Sequence, residues 1–139
     1  MRLFRKKQKR KDSEHRFPDP LILEFDYAGD HKKPFIVRGR FRFYTNKVPG
    51  GVVEAKDGFR TDFASIPWLF RRILPKVGKY GKAAIPHDVL CDEQPHSVGY
   101  KTAAAVFHEA MEVLEVKTVV RKIMSQSVRG FGPKFTAQN

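Results

Sequence analysis

Asp62, His87 and Asp88 are the residues of this 139-residue chain whose types and spacing could do chemistry. A carboxylate and an imidazole can together hold a divalent ion and leave a coordination position open for water, and a second carboxylate could act as ligand or base. All three sit in segments built to be buried. Asp62 lies in Thr61-Asp62-Phe63-Ala64-Ser65-Ile66-Pro67, and the His-Asp pair closes Gly78-Lys79-Tyr80-Gly81-Lys82-Ala83-Ala84-Ile85-Pro86-His87-Asp88. Asp92 and His96 are close enough in sequence to add to such a site, whereas His31 and His108 lie in less suggestive surroundings. Adjacent helical residues point about 100° apart, so one ion could take both His87 and Asp88 only at a special backbone geometry.

A structural reading of the same residues stands beside the metal or catalytic one. Asp62, at a strand end just before a helix, could accept hydrogen bonds from the backbone of the Phe63 to Ile66 turn. His87 would then be its orienting partner, fixing how strands meet helices. No phosphate-cradling loop is present, because Gly50-Gly51 lacks a following Lys-Ser/Thr. Neither a Ser/His/Asp elbow nor a paired-Glu arrangement is visible. Trp68 and Phe70 among Arg71, Arg72, Lys76, Lys79 and Lys82 could stack bases and pair phosphates, but a helix with one apolar and one charged face gives the same pattern.

The elements that must position these groups follow from periodicity. Leu21 to Tyr27 and Phe35 to Tyr44 alternate as strands, Val52 to Ala55 is bracketed by Gly50-Gly51 and Lys56-Asp57-Gly58, and Asp-Gly before Phe59-Arg60 is a hairpin signal. Beyond Asp62 the period becomes helical. Ser65 can cap a helix over residues 66–74 with Pro67 in its first turn, and Trp68 is counted with them as structural. Pro86 is expected to start a fresh helical turn. Residues 100–114 carry a stripe of Ala103, Val106, Phe107, Ala110, Met111 and Leu114, with Phe107 a core residue. Residues 116–128 predict a last helix with Val119, Val120, Ile123, Met124 and Ser127 on or near one face, ended by Gly130. The expected fold is α+β, a small antiparallel β-sheet in the N-terminal half followed by three or four helices. It divides into a basic flexible arm (1–17), a single domain (18–132) and a C-terminal tail (133–139).

Composition bounds the partners. At 41% hydrophobic the chain can build one core, and no run reaches the roughly 18 to 20 apolar residues of a membrane span. A basic start without an apolar run behind it predicts a soluble protein made without a secretion signal. Cys91 is the sole cysteine, which excludes an internal disulfide or a multi-thiolate zinc site and fits a reducing compartment. Half of the net charge of +12 lies in the first 16 residues, where Arg2, Arg5, Lys6, Lys7, Lys9, Arg10, Lys11 and Arg16 face only Asp12 and Glu14. With almost no apolar residues, this arm is expected to order only on a partner: a phosphate backbone, an anionic lipid surface or an acidic protein. No small-molecule substrate is indicated, and no cofactor is expected apart from a divalent metal in the alternative reading.

The Thr61-to-Pro67 string, Gly78-Lys79-Tyr80-Gly81-Lys82-Ala83-Ala84 and His87-Asp88-Val89-Leu90, in that order and spacing, resemble a family of tailed phages and prophages, domain of unknown function thirteen-fifty-three. The resemblance runs from about Val48 to Gly130. It implies a phage origin, with the protein in the virion after synthesis in the host cytoplasm. A phage origin leaves a choice among a virion part, a lysis or entry enzyme and an early protein acting on the host. The division between a compact core and a charged arm favours a virion-associated structural protein, tail or portal-proximal, part of an oligomeric assembly, whose basic arm docks on other virion proteins or on nucleic acid. The alternative is a metal-dependent hydrolase acting on cell wall as the phage enters or lyses its host. Family members usually carry Ala-Asp early in the long helix. Here Ala104 replaces that Asp, so a carboxylate that could complete a metal site is missing.

Overall fold

Straight-chain Lys, Arg, Gln and Glu side chains are good helix formers, and in the computed structural model they make the first element, α1 (Arg2–Arg16). The structure describes residues 1–29, 32–62, 79–92 and 98–131. The expected helix over residues 66–74, with Ser65, Pro67, Trp68, Phe70, Arg71, Arg72 and Lys76, lies outside the described residues, as do His31, His96 and the tail from residue 132.

The segment expected to be a flexible arm is thus a helix, for two physical reasons. Pairs one turn apart support it, Gln8 to Asp12 at 3.3 Å and Arg10 to Glu14 at 3.0 Å, each contributing a few tenths of a kcal/mol. Its C-terminal end is anchored in the core. Phe17 is buried and stacks on Phe43 with ring centroids 4.5 Å apart, while the Arg16 guanidinium lies over the Phe43 ring, 5.0 Å from its centroid. No residue of α1 itself is buried, so it rides on the molecule as a charged ridge against α3 and β3.

Among the described residues five short strands follow: β1 (Ile22–Phe25), β2 (Phe35–Arg38), β3 (Phe41–Tyr44), β4 (Val52–Ala55) and β5 (Arg60–Thr61). They form two antiparallel sheets, ordered β1-β2-β5 and β3-β4. The single strand expected over residues 35–44 is therefore divided in two. Phe35 faces Thr61 and Ile36 faces Arg60, while Phe41 faces Ala55 and Tyr44 faces Val52, so the register is the same on both sides of the break. The two halves are one long hairpin, kinked in both arms at the same level. Gly39 makes the kink in one arm with φ +71°, its N–H donating to Asp57 Oδ1 at 2.7 Å. In the other arm Gly58 sits at φ +89°, with Gly58 N–H and Val37 N–H both bonded across the gap. Asp57-Gly58 consequently does not close a hairpin; it carries the chain from one sheet to the other, a glycine bulge that adds twist.

Among the described residues three helices cover the hairpin: α2 (Lys79–Asp92), α3 (Tyr100–Val113) and α4 (Thr118–Phe131). α2 packs on β4 and α3, and α3 packs on α4. Every residue from Ala83 to Leu90 is buried, the mark of a helix enclosed on all sides. That enclosure explains why the helix continues through Pro86 instead of restarting there. A proline inside a helix costs about 3 kcal/mol, and burial of Ile85, Val89 and Leu90 outweighs it. The stripe expected on α3 is the buried one, Phe107 at its centre. On α4 Met124, Ser127 and Val128 are buried and Val120 partly so, which places three residues of the expected stripe on the packed face. Val119 is left exposed, and the helix passes Gly130 to Phe131. Among the described residues no helix is long and apolar enough to cross a membrane.

Candidate functional site

Because α2 is enclosed from Ala83 to Leu90, the two polar residues of that stretch cannot reach bulk water and must be satisfied inside; His87 is 4% exposed and Asp88 5%. Asp88 accepts a short hydrogen bond from the hydroxyl of Thr61, which is itself fully buried at the end of β5. His87 Nδ1 lies 3.5 Å from Asp88 Oδ1, and its Nε2 lies 3.6 Å from Cys91 Sγ, one helical turn further on. The imidazole also packs against Phe107 with ring centroids 5.4 Å apart. The partner given to His87 in the expected structural pair was Asp62; the carboxylate the structure places against its ring is Asp88. Asp62 lies partly buried just past β5, and its charge is felt by both Lys33 and Cys91.

Lys33, from the turn before β2, pairs with Asp92 at the C-terminal end of α2. The hydrogen bond that Lys33 donates to Asp92 raises its ammonium above the ordinary range despite desolvation, and the charges of Asp92, Asp62 and Asp88 add to it. A cation at this position also suits the negative end of the α2 dipole. Burial pushes the Cys91 thiol up to about 12, and the neighbouring Asp88 and Asp92 charges act in the same direction. At neutral pH Cys91 is therefore a thiol and a poor nucleophile.

These distances bear on a metal. Among the described residues no group of three or more His, Cys, Asp and Glu side chains is arranged to hold an ion. Ala104, the position where a further carboxylate was expected, is buried and lines a groove with Arg16, Lys47 and Glu109. Its place in α3 is thus turned toward the α1 side of the molecule. The described geometry offers no donor set through which a metal-dependent step can be written. What Thr61, His87, Asp88 and Cys91 do is join the hairpin to the central helix: a strand-end hydroxyl gripped by a helix carboxylate, with the imidazole filling the gap to Phe107.

A second polar cluster, absent from the sequence reading, holds α1. Glu109 on α3 accepts from Thr45 Oγ1 at 2.9 Å, pairs with Lys47 at 2.6 Å and takes a short hydrogen bond from Arg16. Burial pushes the Glu109 carboxyl up, but the hydrogen bonds of Lys47 and Thr45 and the charge of Arg16 outweigh it and hold it below its ordinary range. Arg16 also donates to the Tyr44 carbonyl at 2.6 Å. The expected partner-binding cations Arg2, Arg5, Lys6, Lys7, Lys9, Arg10 and Lys11 are all exposed on α1. Lys9 reaches Glu115 at 3.5 Å, and Arg10 reaches Glu14 on the helix itself. The only sequence signal for Cys91 as a partner of His87 was their separation of four, which places two residues on one helix face. Arg16, Thr45 and Glu109 had no such signal, being distant in sequence.

Residues 35–128 match the family described as Protein of unknown function (DUF1353), and the chain belongs to it. No curated protein and no solved structure matches the chain.

Proposed function

We propose that this member of the DUF1353 family is a virion-associated structural protein of a phage, placed near the tail or portal, whose basic α1 docks on other virion proteins or on DNA. One observation carries the reading. Among the described residues α1 is fastened to the fold at its C-terminal end through Arg16 and the adjoining Phe17 and at its middle through Lys9, while its other Lys and Arg side chains are exposed. A helix that presents charge without burying any of its own residues gains stability from a partner that supplies the opposite charge. The tie between Thr61 and Asp88 supports the same reading, since the polar groups best suited to chemistry are spent on holding the domain together.

The test is the triple reversal Arg5→Glu, Lys7→Glu and Lys11→Glu in an otherwise intact phage, with the copy number of the chain in purified particles measured against the major capsid protein. The wild-type chain is expected at a fixed low copy number and the variant is expected to be lost from particles while remaining folded in the cell. Absence of the wild-type chain from particles, or normal incorporation of the variant, overturns the proposal.

A further inference from the structure

The ridge formed by α1 has a groove on each side, and the two differ in character. On the side of Lys9, Asp12 and Arg16 the lining alternates in sign and contains the Glu109 cluster, whose charges are already paired. The other side is a groove of about 670 Å³ with an aliphatic floor. Leu21 and Leu23 come from β1 and the residue before it, and Val113 and Leu114 from the end of α3; all four are only partly buried and pack against the core from outside. Its rims are cationic: Lys6 and Arg10 stand on α1, one turn apart, and Lys79 and Lys82 stand on the first turn of α2. Among the described residues Glu14 and Glu115 are the acids that line it, and they pair with Arg10 and Lys9. Lys6, Lys79 and Lys82 have no ion pair among the described residues, so the excess charge of the groove is positive.

From these observations the geometry points to a docking site for an acidic amphipathic helix of a partner protein, its apolar stripe on Leu21, Leu23, Val113 and Leu114 and its flanking carboxylates on Lys6, Lys79 and Lys82. The inference rests on the docking role proposed above and names the chemistry of the partner. Helix-in-groove recognition needs an apolar floor to take residues spaced three and four apart, and matched charge on the rims sets orientation and speeds encounter. A nucleic acid would use the cations but leave four aliphatic side chains uncovered, and among the described residues the lining offers no aromatic ring for a base to stack on. A second copy of the chain fits poorly, because α1, the described helix that exposes the large apolar side chains of Leu3 and Phe4 away from the core, is as cationic as the rims.

The test uses the full chain and three labelled probes in fluorescence anisotropy: a synthetic helix of about five turns with Leu at three- and four-residue spacing flanked by Glu, a peptide of the same composition with the Leu residues scattered around the helix, and a short DNA duplex. The amphipathic peptide is expected to bind at least about tenfold tighter than the scattered one, and Lys79→Glu with Lys82→Glu to weaken it about tenfold. Lys79 is exposed and Lys82 half-buried on the first turn of α2, before its enclosed stretch, so the double variant should keep the wild-type circular dichroism. No binding of the amphipathic peptide, equal binding of the two peptides, or a duplex that binds more tightly and loses affinity in the same variant overturns the groove. Its failure is separable from that of the docking role. Particle incorporation that depends on Arg5, Lys7 and Lys11 with no preference between peptides sinks the groove alone, whereas absence of the chain from particles sinks the virion role whatever the peptides do.

Discussion

Thr61 on β5 donates its hydroxyl proton to Asp88 on α2, and both residues are buried. This contact spans 27 residues and fixes the end of the kinked hairpin against the central helix. Thr61→Val keeps the shape and removes the donor, leaving a buried carboxylate short of one hydrogen bond. The expected loss is about 1 to 3 kcal/mol in urea unfolding with an unchanged m-value. A loss within experimental error would mean that the contact does not hold the hairpin.

Cys91 provides a second check on the same cluster. Its thiol is pushed up to about 12, first by burial and then by Asp88 and Asp92, so the native protein at pH 8 contains almost no thiolate. Alkylation by iodoacetamide is expected to run at least about a hundredfold slower in the native protein than in guanidinium, where the thiol returns to about 8.5. The sign for stability follows: a folded pKa above the unfolded one means a contribution complete below about pH 8.5 that is lost as pH rises toward the folded value. Native alkylation at the unfolded rate would place the thiol in a solvated, unperturbed environment.

At the kink, Gly39 has φ +71° with open space where a Cβ would stand. Gly39→Ala therefore meets no clash and costs only the left-handed backbone, about 1 to 2 kcal/mol. Asp57→Ala removes the acceptor of the Gly39 N–H and should cost about 0.5 to 1.5 kcal/mol. Because both changes act on one turn, the double variant should lose less than the two single losses combined. Simple additivity would show that Asp57 does not hold the kink.

The strands were legible where one face is buried and the other is not. Phe41 and Phe43 alternate with Arg42 and Tyr44, and the structure puts the first pair in the core and the second outside. The break at Gly39 was hidden because Ile36 and Val37 are adjacent and both buried, so alternation already fails in β2 and gives no mark of where the strand changes sheet. α1 was missed because its stability lies in one-turn charge pairs and in an anchor, Arg16 on Glu109, formed by residues 93 apart in the chain. A hydrophobic pattern carries no trace of either. In the polar cluster, His87 and Asp88 could be singled out by type. The role of Thr61 could not, since a threonine in a strand is ordinary until the helix opposite it is known.

Glu109 ties the anchor of α1 to pH. Burial raises its carboxyl, while Lys47, Thr45 and Arg16 together bring it below the ordinary range. A folded pKa below the unfolded one gives a contribution present above the unfolded carboxylate value of about 4.3 and lost as pH falls through the folded value. Glu109→Gln retains the acceptor for Thr45 but removes the charge that pairs Arg16 and Lys47, and should cost about 1 to 3 kcal/mol at pH 7. The variant should also show a weaker fall in stability between about pH 5 and 3 than the wild type. Because Arg16 is the last residue of α1, amide exchange in Arg2–Arg16 should speed up in Glu109→Gln more than exchange in α2. Equal acceleration across the chain would mean that Glu109 serves the whole core and not α1 in particular.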